Sequence, residues 1–124
     1  MRNFHRFVTS LQQSITQNKL TAIVEDSKLV QQILYILQVN GYIEGFQFLE
    51  RYKIIVYFKF KNNGNVIKKI YKFRNSKRYR FNSKFLYKAV GLNHFTLILT
   101  RNGLITNNQS LLLQTTGIPL LGLL

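Results

Sequence analysis

The sequence predicts an α+β fold: an N-terminal α-β-α-β-β-β half packed against a mostly antiparallel β C-terminal half. Three observations lead there. Two stretches within the first forty residues repeat apolar side chains at helical spacing. Residues 52–61 alternate with period two instead. Asn-Gly pairs at 63–64 and 102–103 sit between β-leaning runs, a strong hairpin signal.

In the first helix, Phe4, Phe7, Val8, Leu11 and Ile15 form one apolar stripe, with Asn3 placed to cap it. Asn18 and Lys19 end the helix. Leu20 to Val24 reads as a short strand. Asp26 or Ser27 can cap a second helix carrying Leu29, Val30, Ile33, Leu34, Ile36 and Leu37. Asn40-Gly41 stops it, because glycine accepts a left-handed backbone. Tyr42 to Phe48 reads as a strand with a bulge at Gly45. Tyr52 to Lys61 is a stronger one: Ile54, Val56, Phe58 and Phe60 share one face, while Lys53, Ile55, Tyr57, Lys59 and Lys61 share the other. After Asn63-Gly64, Val66 to Phe73 is expected to return as its partner. No internal repeat occurs.

The character changes near residue 74, which is the expected boundary between an α/β subdomain, 1–73, and a β-rich subdomain, 74–124. His94 to Thr100 reads as a strand, Asn102-Gly103 as a turn, and Leu104-Ile105 as its continuation. Asn107 to Leu113 is expected to make a short helical turn and Leu120 to Leu124 a final strand. The tail from Leu111 is oily but interrupted by Gln114, Thr115, Thr116, Gly117 and Pro119, so it reads as a buried strand rather than an anchor. No apolar run approaches the roughly 20 residues that cross a bilayer.

Of 124 residues, 18 are Lys or Arg and 4 are acids, a formal charge of +14 against an ordinary apolar content of 46%. Charge of one sign opposes compaction by self-repulsion. A polyphosphate partner relieves it, and counterion release supplies affinity without base readout. The absence of cysteine excludes disulfides, thiolate metal sites and a cysteine nucleophile. Glu25 and Asp26 stand at a helix start, where carboxylates favour the dipole, rather than forming an acid/base pair. His5 and His94 lack partners at metal spacing, and no phosphate-loop or dinucleotide glycine pattern occurs. The chain is therefore not expected to be an enzyme, to hold a cofactor or to take a small-molecule substrate.

Two features point to nucleic acid. From Lys68 to Lys88, cations alternate with aromatics: Arg74, Lys77, Arg78, Arg80 and Lys84 lie among Tyr79, Phe81, Phe85 and Tyr87. Lys and Arg meet phosphates, Arg forks onto one phosphate or stacks, and Tyr and Phe stack on unpaired bases. A solvated strand face guarded by lysines would have the same composition. The second feature is Thr100-Arg101-Asn102-Gly103, a hydroxyl, a cation, an amide and a glycine at a strand end. Such a turn offers backbone N–H groups and close approach, though a plain hairpin turn has the same residues.

Several segments together resemble the universal small-subunit ribosomal protein eight family. Arg6 to Lys19, RFVTSLQQSITQNK, resembles its first helix and Asn-Lys exit, and Ser27-Lys28-Leu29 the start of its second helix. Asn40 to Phe46, NGYIEGF, resembles its Gly-aromatic-Ile-acid element. Arg74 to Arg80, RNSKRYR, resembles its basic turn, with Leu86 and Lys88 in place. Leu97 to Ile105, LILTRNGLI, resembles its strand ending in Ser-Thr-x-x-Gly. The resemblance runs from about residue 4 to 124. Here Leu99 replaces the first loop serine, Arg101 adds a cation, Arg80 stands where Tyr is frequent, Thr116-Gly117-Ile118 replaces Gly-Gly-Glu, and Ser110 and Leu111 replace a small and a basic residue.

The resemblance implies a structural constituent of the small ribosomal subunit that binds the central domain of its rRNA early in assembly, beside neighbouring small-subunit proteins. The residues expected to meet rRNA are Lys19, Lys28, Arg74, Lys77, Arg78, Arg80, Lys84, Lys88, Thr100, Arg101, Asn102 and Gly103. The basic, acid-free first twenty residues could also suit a mitochondrial transit peptide, but their likeness to the family's first helix assigns them to the fold. Frequent Asn, Lys, Ile, Phe and Tyr, which tend to have A/T-rich codons, together with the loop departures, place the expected home in a mitochondrial ribosome, encoded in the organelle. The alternative is an organellar RNA-binding module outside the ribosome, acting in splicing or RNA processing.

Overall fold

The computed structural model describes residues 2–62, 64–72, 95–101, 103–109 and 117–123, with the backbone alone at Arg2 and Asn3. Helices and antiparallel sheets coexist, an α+β fold. The chain divides into two compact units, Met1–Ile70 and Tyr71–Leu124.

In the first unit, α1 (Arg2–Thr16) and α2 (Lys28–Val39) alternate with β1 (Thr21–Glu25), β2 (Ile43–Leu49) and β3 (Lys53–Phe58). The strands form an antiparallel sheet in the order β1-β3-β2. α1 packs beside β1 and α2 beside β2. Phe7, Leu11, Ile33, Leu34, Leu37, Ile54 and Val56 are fully buried among them. Each such side chain contributes roughly 1.5–3 kcal/mol of transfer free energy, which the period-3.6 and period-2 patterns concentrate on facing surfaces.

Both helices end in the same device. Lys19 N–H donates to Ser14 O (2.9 Å) and Asn18 N–H to Ile15 O (3.1 Å), with Asn18 at φ +55°. Tyr42 N–H donates to Leu37 O (2.8 Å) and Gly41 N–H to Gln38 O (3.1 Å), with Gly41 at φ +80°. These paired bonds around a left-handed residue are Schellman ends, satisfying carbonyls the helix leaves open. Ser27 caps α2, its hydroxyl oxygen accepting from Val30 N–H at 3.1 Å. α1 already includes Asn3, so Asn3 belongs to the first turn and is not the flanking cap expected from its residue type. β2 carries the expected irregularity: Ile43 faces Phe58 and Gly45 faces Tyr57, leaving Glu44 as the extra residue.

The expected long hairpin is shorter than its alternation suggested. β3 ends at Phe58, Lys59 interrupts it, and β4 (Phe60–Lys61) pairs only with β5 (Gly64–Asn65). Phe60 is exposed rather than on the buried face. The reason is local: Asn65 Oδ1 accepts from Ile67 N–H at 3.0 Å, a side-chain turn that draws the backbone off the ladder. The chain then reaches β6 (Ile70–Lys72), which joins a different sheet; Phe73 lies outside the described residues.

That sheet has the order β6-β9-β7-β8, with β7 (Phe95–Thr100), β8 (Gly103–Thr106) and β9 (Ile118–Leu123). The described part of the apolar tail, Ile118–Leu123, is therefore an interior strand, flanked by β6 and β7. Pro119 tolerates that position because the ladder slips beside it: Leu97 faces Leu121 and Ile98 faces Pro119. A proline, lacking an N–H, is accepted inside a sheet at such a bulge. The Tyr71 ring covers Gly122, filling the space a side chain there would need. After β8, Thr106 Oγ1 accepts from Gln109 N–H (3.2 Å) while Gln109 Oε1 accepts from Thr106 N–H (3.0 Å). This reciprocal capping box opens a helical turn at 107–109. The rest of the turn expected to reach Leu113 lies outside the described residues.

Candidate nucleic-acid interface

The β7–β8 hairpin presents the turn singled out by its residue types. Thr100 and Gly103 are the closing pair, and Thr100 Oγ1 donates to Gly103 O at 2.9 Å. That bond commits the hydroxyl proton to the turn itself. Gly103 has φ +112°, a conformation side chains rarely adopt, and open space surrounds the place a Cβ would occupy. Arg101 is exposed at the tip, and Leu99 stands partly in solvent beside it. Beneath them, Leu97, Ile98 and Leu121 are fully buried. An exposed cation thus sits on a short turn held by a packed sheet, a geometry suited to a fixed phosphate or a shallow groove.

The support behind this turn comes from a residue the sequence reading had not assigned to the site. A Cβ on Gly117 would lie 2.5 Å from Leu99 O, 2.6 Å from Ile98 Cγ2 and 2.9 Å from Thr100 Cγ2. Only a residue without a side chain lets β9 begin this close to the end of β7. The available signal was the small residue before Ile118, where the resembling family also has glycine.

Two of the other expected contacts are described, and both belong to the first unit. Lys19 is exposed two residues before β1 begins, and Lys28 is exposed at the start of α2, after β1 has ended. Five residues of strand, roughly 17 Å at 3.3 Å each, run between those positions. Lys28 also adds positive charge at the positive end of the helix dipole, a placement that favours an anionic neighbour. Arg74, Lys77, Arg78, Arg80, Lys84, Lys88 and Asn102 lie outside the described residues.

Positive charge outweighs negative among the described residues, which include all four acids. Arg6 and Glu25 form an ion pair at 3.4 Å, with both side chains about half exposed, and such surface pairs contribute little. Among the described residues, Arg101, Lys19 and Lys28 form no ion pair. Among the described residues, no group of three or more His, Asp and Glu is placed to hold a metal, and no helix is long and apolar enough to cross a membrane.

No curated protein matches the chain. A family model described as ribosomal protein S8 matches residues 4–121. That span takes in both compact units, the Thr100–Gly103 turn and the Gly117 that supports it. The chain therefore belongs to the ribosomal protein S8 family, structural proteins of the small ribosomal subunit that bind rRNA and are not enzymes.

Proposed function

We propose that this protein is a constituent of a mitochondrial small ribosomal subunit, where it holds the central domain of the rRNA in shape, beside neighbouring small-subunit proteins, and supports assembly and translation. The observation that carries the reading is 18 cations against 4 acids on a chain whose exposed Arg101 tips the β7–β8 hairpin. Binding is mechanical and electrostatic. Cations displace counterions from clustered phosphates, while the buried Leu97–Leu121 framework fixes where Arg101 stands. The mitochondrial assignment is supported by the loop itself. Leu99 and Arg101 exchange a hydroxyl contact for charge, which trades shape readout for phosphate attraction.

Sedimentation of organelle extracts tests the proposal. The protein should comigrate with small subunits at moderate salt, and crosslinking should recover central-domain rRNA. A protein that sediments apart from subunits and crosslinks to intron-containing or precursor transcripts would be an RNA-processing module instead.

A further inference from the structure

Residues 29–50 contain no Lys or Arg, on a chain that carries 18 of them. They include most of α2 and all of β2, and β2 is the last strand of its sheet, paired on one side among the described residues. An unpaired strand edge offers its N–H and C=O groups to another strand, and proteins blunt such edges with lysine, proline or a bulge. β2 has neither lysine nor proline. Its bulge sits at the start, between Ile43 and Gly45, where Gln38 Nε2 of α2 donates to Glu44 O at 3.4 Å. From Phe46 to Leu49 the ladder to β3 is regular, so the backbone groups on the outer side repeat at strand spacing. The Gln47 side chain turns inward, its Oε1 accepting from the Tyr57 hydroxyl of β3 at 2.9 Å.

Phe46 faces Val56 and Phe48 faces Ile54 across the ladder. Val56 and Ile54 are fully buried, whereas Phe48 is 59% exposed. The apolar face of the sheet therefore continues past the helices that cover it. The two phenyl rings meet edge-on at 76°, with centroids 6.2 Å apart, a favourable aromatic geometry. Leu49 adds exposed apolar surface at the end of the strand. Glu44 and Glu50 bracket this edge, both exposed and in no ion pair among the described residues. Lys53 faces Leu49 but is flanked on its other side by Glu25. Lys59, beside Gly41, and Arg51, after Glu50, stand beyond the ends of the strand.

We infer that the β2 edge is a docking surface for another protein, which adds an extended strand along Phe46–Leu49, lays apolar side chains on the Phe46–Phe48 pair and brings Lys or Arg to Glu44 and Glu50. In strand addition the main chain supplies affinity and alternate side chains supply specificity. A polynucleotide has no such ladder to offer, and its phosphates find acids here where they need cations. A second copy fits poorly. Paired antiparallel about Gln47, it would bring Glu44 near Glu50 at both ends, and like charges opposite one another destabilise. Two chains at +14 each also repel. The inference deepens the ribosomal reading by saying where a neighbouring protein joins, and the setting of that neighbour rests on that reading.

The test uses the full chain and a synthetic peptide of alternating valine and threonine with lysines at both ends. Amide hydrogen exchange at Phe46–Leu49 reads occupancy of the edge. The peptide should slow exchange there. Phe48→Lys plants a charge on the edge and should weaken peptide binding by at least about tenfold, the loss of an aromatic anchor. Glu44→Lys with Glu50→Lys should reverse the preference, so that a glutamate-ended peptide binds this variant better than the lysine-ended one. That reversal separates lost complementarity from lost folding. An edge that the peptide leaves unprotected, equal protection by polyuridylate, or protection that grows with protein concentration alone overturns the inference while leaving the ribosomal reading standing. A chain whose edge the peptide protects but which ignores small-subunit rRNA at low salt overturns the ribosomal reading instead.

Discussion

Gly117 lies so close to Leu99 that a Cβ would stand 2.5 Å from the Leu99 carbonyl oxygen. That oxygen belongs to the backbone and cannot turn aside as a flexible side chain would. Gly117→Ala should therefore push β9 away from β7 and destabilise the protein by about 1–3 kcal/mol, the usual cost of overpacking. Thermal unfolding measures the loss. Because Thr100 Cγ2 is another of the crowded atoms, rRNA affinity should fall with stability. A variant that melts like wild type would mean that the strands have room to separate.

Gly103 is constrained differently. Its φ of +112° excludes ordinary side chains, yet nothing stands within 4 Å of the Cβ position. Gly103→Val should cost about 1–3 kcal/mol, all of it backbone strain. Gly103→Ala should cost nearly as much, since its Cβ meets no obstacle and the strained backbone remains. If alanine were tolerated and valine were not, crowding rather than conformation would be the cause.

Arg101 is exposed and forms no ion pair among the described residues. Arg101→Ala should weaken rRNA binding without changing the melting temperature. It should also flatten the log–log salt dependence by roughly 0.7 to 0.9, one phosphate contact. A slope equal to wild type would place this guanidinium in solvent when RNA is bound.

Burial raises the phenol pKa of both Tyr42 and Tyr71 above the ordinary value of 10.0, because desolvation disfavours the phenolate. The folded protein then holds protons that the unfolded chain releases. Their contribution to stability is fully present below the unfolded pKa and is lost as pH rises through the higher folded values. Unfolding free energy should decline from about pH 10 upward. The double variant Tyr42→Phe with Tyr71→Phe should show a shallower decline in denaturant titrations across that range. An unaltered slope would assign the alkaline loss to other groups.

The helices were legible because their determinants are local. The apolar stripe, the Ser27 cap and the Gly41 stop all act within a few residues of the bonds they make. The Thr100–Gly103 turn was legible for the same reason, as one strand end followed by a glycine. The Thr106-to-Gln109 capping box was also written locally, in a threonine followed three residues later by a glutamine, and went unread.

Alternation alone could not show where a strand finds its partner. Residues 52–61 keep the right period past Phe58, but the Asn65 side chain turns the chain away and β6 pairs in another sheet. Likewise, glycine at 117 carries no mark that distinguishes a loop residue from one pressed against Leu99. Charge total and helix positions follow from residue types and short spacings, since solvation and i-to-i−4 bonding depend on near neighbours. Strand order and the support behind the Arg101 turn arise from contacts between segments distant in the chain, so only tertiary packing decided them.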